Sequence, residues 1–151
     1  MIHAPVGSYQ PNAFGNRSRG YQGITRLEYG PDQVLVPDFL PDTPECRAEL
    51  AQYYQSVTRV DQGVGKLVEI LKETGKYDNT LIILTSDNGG LHVDADTRKS
   101  GHDSSGEWRG FKNAPHEGGT RVPFIAVWPG HIKAGRISDE YVAGHDVVAT
   151  L

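Results

Sequence analysis

Two apolar runs without alternation constrain the fold of this chain more than any other feature. Residues 81–84 read Leu-Ile-Ile-Leu, and residues 123–128 read Pro-Phe-Ile-Ala-Val-Trp. A strand with one face in water alternates apolar and polar residues, whereas a continuous apolar run is typical of a parallel strand covered on both faces. The sequence therefore predicts neighbouring central strands over residues 81–86 and 123–128.

A long amphipathic helix is predicted before the first run. Thr43-Pro44-Glu45 has the features of a helix start, with a capping hydroxyl, a proline at the first helical position and an acidic residue. The following apolar residues form one stripe at spacings of three and four: Leu50, Tyr53, Tyr54, Val57, Val60, Val64, Leu67, Val68 and Leu71. Gly75 ends this pattern. The order of elements predicts an α/β fold, a mixed and mostly parallel sheet flanked by helices, with helix 44–74 on one face.

The chain divides into two parts by pattern. Residues 1–43 show no sustained period and are interpreted as an irregular approach segment, while 44–151 form the helix–strand–loop–strand core. With 151 residues, the chain is one domain or a piece of a larger domain. Because a compact domain seldom starts with so much irregular chain, we expect that a preceding part is absent.

Charge and composition exclude some functions. The net charge is −4 and the chain has no basic run, so nucleic-acid binding has no electrostatic support. No apolar stretch approaches the ~20 residues of a membrane span. Cys46 is the only cysteine, which rules out an internal disulfide. No targeting segment is visible, so the localisation stays open.

The first apolar run ends in Asp87 and Asn88, followed by Gly89 and Gly90. In open α/β sheets, ligands bind beyond the carboxyl ends of the strands. A carboxylate beside an amide oxygen is a pair of hard ligands that suits Ca²⁺ or Mg²⁺. The glycines let the backbone turn sharply, so that both side chains can bend toward one point. The same tetrapeptide is also common turn chemistry, and this stretch by itself leaves both interpretations open.

The downstream sequence separates these interpretations. Residues 108–130 read WRGFKNAPHEGGTRVPFIAVWPG, and with LIILTSDNGG they resemble the type I sulfatases of the alkaline-phosphatase superfamily. That family has a TSDNG strand end, an RG-x-K segment, EGG-x-R-x-P, a strand and a WPG turn. Residues 37–80 resemble the family's preceding helix, and residues 3–5 resemble its His-Ala-Pro segment. The resemblance implies a partial sulfatase catalytic domain over 1–151, with the family's sandwich fold and sulfuric ester hydrolase activity.

The resemblance also implies roles for particular residues. Asp87 and Asn88 would be two ligands of a divalent cation, usually calcium, with magnesium possible. Lys112 matches the family's second active-site lysine, whose ammonium neutralises a sulfate oxygen or the bridging oxygen. His3 matches the sulfate-binding histidine that helps to protonate the leaving group.

Other residues around these motifs have less defined roles. Arg109 either reaches toward the substrate or braces the loop, and His92 belongs to a substrate-facing or solvated loop. The acidic and histidine residues that follow it fit no compact set of metal ligands. Glu117 and Arg121 are interpreted as structural residues that pair with each other or cap neighbouring chain, and the glycines between them as the source of an unusual backbone turn.

The nucleophile of the family is absent from these residues. It is a formylglycine made from the cysteine of Cys-x-Pro-Ser-Arg, whereas the chain reads Cys46-Arg47-Ala48-Glu49 and contains no Asp-Asp pair. We therefore expect a middle-to-C-terminal fragment, with the formylglycine in a missing N-terminal part. The chain alone is expected to be inactive and to bind calcium weakly.

The sequence motifs leave the substrate and two rival functions open. Sulfated glycans and aryl sulfates are both substrates of the family, and the HAP and WPGHIKAG segments favour a glycan. A phosphodiesterase or phosphomutase relative would place histidine beside the aspartate, where Asn88 stands here. An inactive divalent-ion or glycan-binding fragment is the other alternative. Members of the family are expected in the periplasm, in the lysosome or outside the cell.

Overall fold

The computed structural model describes residues 13–91 and 104–150. The elements follow in chain order: a 3-10 turn (Ala13–Gly15), helix α1 (Pro44–Glu73), a second 3-10 turn (Tyr77–Asn79), strand β1 (Ile82–Thr85), the short helix α2 (Glu117–Thr120), strand β2 (Phe124–Val127) and helix α3 (Gly144–Thr150). This mixture of helix and strand confirms the α/β class. None of the helices described is long and apolar enough to cross a membrane.

Helix α1 begins and ends where the sequence predicts. The Thr43 hydroxyl accepts a hydrogen bond from the Cys46 amide (3.2 Å), and Pro44 is the first helical residue. At the other end Gly75 has a φ of 67°, and the Lys76 amide donates to the Leu71 carbonyl (2.8 Å). Such a left-handed residue after the last turn terminates many helices.

The described segment before α1, residues 13–43, is irregular apart from the first 3-10 turn and lies along this helix. Its small core consists of Val34, Cys46, Leu50 and Ala51, with four partly buried apolar side chains around it. Asn16, which is 2% exposed, donates to the carbonyl of Gln52 (2.8 Å) and to its side-chain oxygen (3.0 Å). The irregular segment is therefore fixed to the helix by side chains.

Strands β1 and β2 pair with each other, as predicted, but they are antiparallel. Ile82 faces Val127 and Thr85 faces Phe124 in the register. The prediction of a mostly parallel sheet is thus not met, because the described strands form a single antiparallel pair. A non-alternating apolar run indicates how a strand is covered, but it carries no information about the direction of its neighbour. The long connection, residues 86–123, allows either direction.

The predicted burial of these strands is also wrong for the part of the chain that the structure describes. Leu84, Phe124, Ile125 and Val127 are between 39% and 52% exposed. Each strand has one unpaired edge, so neither is central. Helix α1 contacts the two 3-10 turns and neither strand of the described sheet. An apolar run is compatible with a strand that is buried on both faces, but burial also requires other elements that pack on those faces.

Candidate active site

The antiparallel pairing determines which residues meet at the end of β1. Because the two strands run in opposite directions, the start of β2 lies beside the carboxyl end of β1. The chain that enters β2, including α2, is thereby brought next to residues 86–90. The candidate site is built from these two stretches and from the turn around Lys112.

Asp87 and Asn88, the residues predicted as cation ligands, directly follow Ser86 beyond the end of β1. The Asp87 side chain is exposed, and it has no hydrogen bond or ion pair with another described residue. The Asn88 amide nitrogen donates to the Gly89 carbonyl (3.0 Å), and the Ser86 hydroxyl donates to the Asn88 carbonyl (3.0 Å). The Asn88 side-chain oxygen therefore remains available as an acceptor.

This oxygen pair fits a hard divalent cation but does not complete its coordination. A carboxylate and an amide oxygen match the ligand preference of calcium, which takes six to eight oxygens. No cluster of three or more His, Cys, Asp or Glu side chains that could hold a metal occurs in residues 13–91 and 104–150. Two oxygens, one each from Asp87 and Asn88, would be a minority of the ligands that calcium requires.

Backbone contacts between glycines join the strand end to α2. The Gly89 amide donates to the Gly119 carbonyl (2.9 Å), and the Gly118 amide donates to the Arg109 carbonyl (2.9 Å). A Cβ atom added to Gly89 would lie 2.0 Å from the Gly118 carbonyl oxygen, and one added to Gly118 would lie 2.1 Å from the Gly110 carbonyl oxygen. No side chain larger than hydrogen fits at these contacts.

This result corrects the sequence interpretation of the glycine pairs. Neither Gly89 and Gly90 nor Gly118 and Gly119 have φ in the left-handed region, so a special turn conformation is not their role. Glycine is needed here because two backbones approach closely. In the sequence, only the repeated Gly-Gly pairs indicated that two backbone segments come into close contact.

Lys112 is tied to the same strand end. Its amide donates to the Gly90 carbonyl (2.8 Å), and it stands between two residues of positive φ, Gly110 (84°) and Asn113 (75°). The half-buried side chain makes no hydrogen bond or ion pair with another described residue. The structure thus brings the Lys112 backbone close to the segment that carries Asp87 and Asn88, and leaves its ammonium unpaired among these residues.

Glu117 and Arg121 pair with each other, which is one of the two structural roles considered from the sequence. A guanidinium nitrogen of Arg121 donates to the Glu117 carboxylate (3.3 Å). The same guanidinium lies 4.3 Å from the ring centroid of Trp108, a contact that sequence reasoning missed. Since Trp108 and Arg121 are distant in sequence, no local pattern indicates this contact.

Three predicted site residues have different outcomes. Arg109 is exposed, and its guanidinium has no hydrogen bond or ion pair with another residue of the described ranges, so bracing of the loop by this side chain is not observed there. His3 and His92 lie outside the described residues, and their roles stay predictions.

Cys46 lies in the small core and not at the strand end. It is 5% exposed, and burial raises the pKa of its thiol, with the carboxylates of Glu49 and Asp42 adding to the increase. A reactive cysteine needs a lowered pKa and solvent access. Cys46 has neither, in agreement with its interpretation as a helix residue without a catalytic role.

Taken together, these residues define a class of site. A carboxylate and an amide oxygen follow the end of β1, and a lysine whose ammonium is unpaired among the described residues stands on a turn that is hydrogen-bonded to the same segment. This arrangement suits the binding of an anionic oxygen group.

Comparison with known proteins identifies the family. The family model described as Sulfatase matches residues 3–151, so the chain belongs to the sulfatase family. Human N-sulphoglucosamine sulphohydrolase is 37% identical over 142 residues, covering 91% of this chain and 25% of the human protein. Human N-acetylgalactosamine-6-sulfatase is 33% identical over 103 residues, covering 68% of this chain and 19% of that protein.

A third relative carries a more general name. An arylsulfatase of Hemicentrotus pulcherrimus is 35% identical over 112 residues, covering 74% of this chain and 19% of the relative. The chain therefore spans a quarter or less of the length of these three curated relatives.

Proposed function

We propose that this chain is part of a sulfatase catalytic domain that hydrolyses sulfate esters of glycans. The supporting observation is the backbone connection between the strand end that carries Asp87 and Asn88 and the turn that carries Lys112. Two relatives are named for sulfated derivatives of glucosamine and galactosamine, and these names support a glycan as the substrate class. Magnesium in place of calcium, and an aryl sulfate as substrate, belong to the same proposal as alternatives.

Each proposed residue has a role that follows from its charge. Asp87 and Asn88 hold part of the coordination sphere of a divalent cation, which supplies positive charge to the sulfate oxygens. The Lys112 ammonium offsets negative charge on a sulfate oxygen or on the bridging oxygen as the ester bond breaks. His3 protonates the departing alcohol oxygen, and Arg109 binds the substrate.

The nucleophile in this proposal lies outside the 151 residues, since the chain has no Cys-x-Pro-Ser-Arg sequence. A formylglycine is the expected group. His92 is assigned to the substrate side of the site because the residues around it fit no compact set of metal ligands.

Lys112→Ala tests the catalytic assignment in the polypeptide expressed at its full length. Loss of an electrostatic stabiliser of this type lowers kcat by about 10²–10³-fold, and we expect a loss of this size with an unchanged melting temperature. The measurement is release of sulfate from 4-nitrophenyl sulfate and from sulfated oligosaccharides. Lys133→Ala is the matched control, because Lys133 is exposed and lies beyond β2. A Lys112→Ala enzyme with wild-type kcat would contradict the assignment.

Asp87→Ala tests the cation site independently of turnover. A ligand that binds only the folded state stabilises it, by about 2.7 kcal/mol at a concentration of 100 Kd. Calcium should therefore raise the melting temperature of the wild-type protein and not that of Asp87→Ala. Asp139→Ala, which removes an exposed carboxylate elsewhere, should keep the calcium response. If calcium stabilised Asp87→Ala and the wild type equally, Asp87 would not be a ligand.

A further inference from the structure

Trp108 is a half-exposed aromatic residue on the loop that leads to Lys112. The residue is 39% exposed, and its amide donates to the Ser105 carbonyl (3.1 Å). The next residue, Arg109, accepts the amide hydrogen of Gly118 through its carbonyl (2.9 Å). The backbone on both sides of the indole is therefore hydrogen-bonded, and it belongs to the loop that is joined to the candidate site.

The indole ring is also held from one side. The Arg121 guanidinium lies 4.3 Å from the ring centroid and is itself bonded to Glu117 (3.3 Å). A cation over an aromatic face restricts the ring and contributes about 0.5–1 kcal/mol at an exposed site. A large apolar side chain that is kept in a fixed orientation and remains partly exposed is a feature of ligand-binding sites.

The second tryptophan has a different environment. Trp128 stacks on His131 with ring centroids 4.1 Å apart, and its indole nitrogen is buried without a hydrogen-bond partner in the described part of the chain. Trp128 is thus packed against its own neighbours, whereas Trp108 presents surface to solvent. The two residues provide a natural pair for comparison.

The charges next to Trp108 indicate what this surface would bind. The side chains of Arg109 and Lys112 make no hydrogen bonds or ion pairs with other residues in the described ranges. An exposed ring on the same loop as two cations that are unpaired among the described residues matches a ligand that combines an apolar face with anionic groups. A sulfated pyranose is such a ligand, because its axial C–H groups form an apolar face and its sulfates carry the charge. Inorganic sulfate alone would need only the cations.

We propose that Trp108 is the stacking platform for the sugar ring of a sulfated glycan, with Arg109 binding a second anionic group of the same chain. The platform rests on the proposed sulfatase function and defines its substrate class. Stacking on Trp108 adds binding energy in the ground state and the transition state alike, so it lowers KM for sugar sulfates without changing kcat.

The test uses the full-length polypeptide with Trp108→Leu, Trp108→Phe and the control Trp128→Phe. The substrates are 4-nitrophenyl sulfate and sulfated oligosaccharides from heparin, chondroitin sulfate and carrageenan. Because an aromatic contact contributes about 0.5–1.5 kcal/mol, Trp108→Leu should raise KM for a hydrolysed oligosaccharide by about two- to tenfold and leave kcat within twofold. Trp108→Phe should largely restore KM. The control Trp128→Phe should leave KM for both kinds of ester nearly unchanged.

A binding measurement separates this inference from the proposed reaction. The oligosaccharides should quench tryptophan emission of the wild type and of Trp128→Phe, and not that of Trp108→Phe. Hydrolysis of the nitrophenyl ester but of none of the oligosaccharides would overturn the platform and leave the sulfatase function intact. An unchanged oligosaccharide KM in Trp108→Leu, or an equal loss of kcat on both kinds of ester, would also overturn it. If no ester is hydrolysed, the proposed function fails, and the quenching experiment alone decides whether Trp108 binds the sugar.

Discussion

The segment before α1 and the candidate site are held in place by different kinds of contact. Along α1, side chains connect distant parts of the chain: Asn16 bonds to Gln52, and Arg59 donates to the Asn16 side-chain oxygen (2.7 Å) and to the Phe14 carbonyl (3.0 Å). At the candidate site the connections are between backbone atoms, as between the Gly89 amide and the Gly119 carbonyl. The segment along α1 is held by side-chain hydrogen bonds, whereas the contacts at the candidate site require glycines, which have no side chain.

This difference predicts opposite sensitivities to mutation. Truncation of a side chain should affect the segment along α1, where each buried polar group has partners that would be left unpaired. Addition of a single methyl group should affect the site, where the backbones are already in contact. The three predictions below compare the two regions by measuring the free energy of unfolding or the reactivity of one side chain.

The largest effect is expected for Gly118→Ala. The added Cβ would lie 2.1 Å from the Gly110 carbonyl oxygen, and the position is buried, so the backbones must move apart. Overpacking of this kind costs about 1–3 kcal/mol, and we expect a loss near the upper limit, measured by urea unfolding. Gly63→Ala is the matched control, since nothing lies within 4 Å of its added Cβ and the position is in a helix.

The control should change stability in the other direction. Alanine at a helix interior is favoured over glycine by about 0.5–1 kcal/mol, so Gly63→Ala should stabilise the protein. An unfolding midpoint of Gly118→Ala equal to the wild type would show that the glycine contacts do not hold the site together.

Asn16→Ala should give the next largest effect, in the region held by side chains. It removes the partner of one Arg59 nitrogen and two hydrogen bonds to Gln52, all at a residue that is 2% exposed. A buried donor or acceptor that is left without a hydrogen bond lowers the free energy of unfolding by about 1–3 kcal/mol. Asn79→Ala, at an exposed position in the second 3-10 turn, should cost far less. Equal losses for the two variants would remove the distinction between the regions.

The smallest effect concerns Cys46, whose thiol is buried beneath the irregular segment. Because burial raises its pKa, the folded protein should react with iodoacetamide far more slowly than the urea-unfolded chain at the same pH. A raised pKa also favours the neutral thiol in the folded state. This contribution to stability is complete below the pKa of the unfolded thiol, about 8.5, and is lost as the pH rises toward the folded value.

Cys46→Ser in the full-length polypeptide should retain both sulfatase activity and the calcium response. Rapid alkylation of the folded protein would contradict the buried position. Loss of turnover in Cys46→Ser without loss of stability would contradict the assignment of the site.

The sequence was sufficient for features that depend on neighbouring residues. Thr43, Pro44 and Gly75 act within one helical turn, and they define the ends of α1 as predicted. The two apolar runs likewise became strands, shorter by one residue at each end than the predicted ranges. Motif order was sufficient to indicate the sulfatase family, because the motifs are contiguous stretches of sequence that need no fold to be recognised.

The tertiary structure decided how segments that lie far apart in the chain are arranged relative to one another. The apolar runs did not specify that β1 and β2 are antiparallel, although this direction brings α2, rather than the end of a parallel strand, to Asp87 and Asn88. The Gly-Gly pairs also did not specify which backbone segment approaches them. Close approach depends on two segments, and the sequence around one glycine pair does not identify the other segment. Local propensity acts over a few residues, whereas strand direction and backbone contact are set by packing of the whole domain. Only the folded chain therefore brings Gly89 against Gly118 and places Arg121 over Trp108.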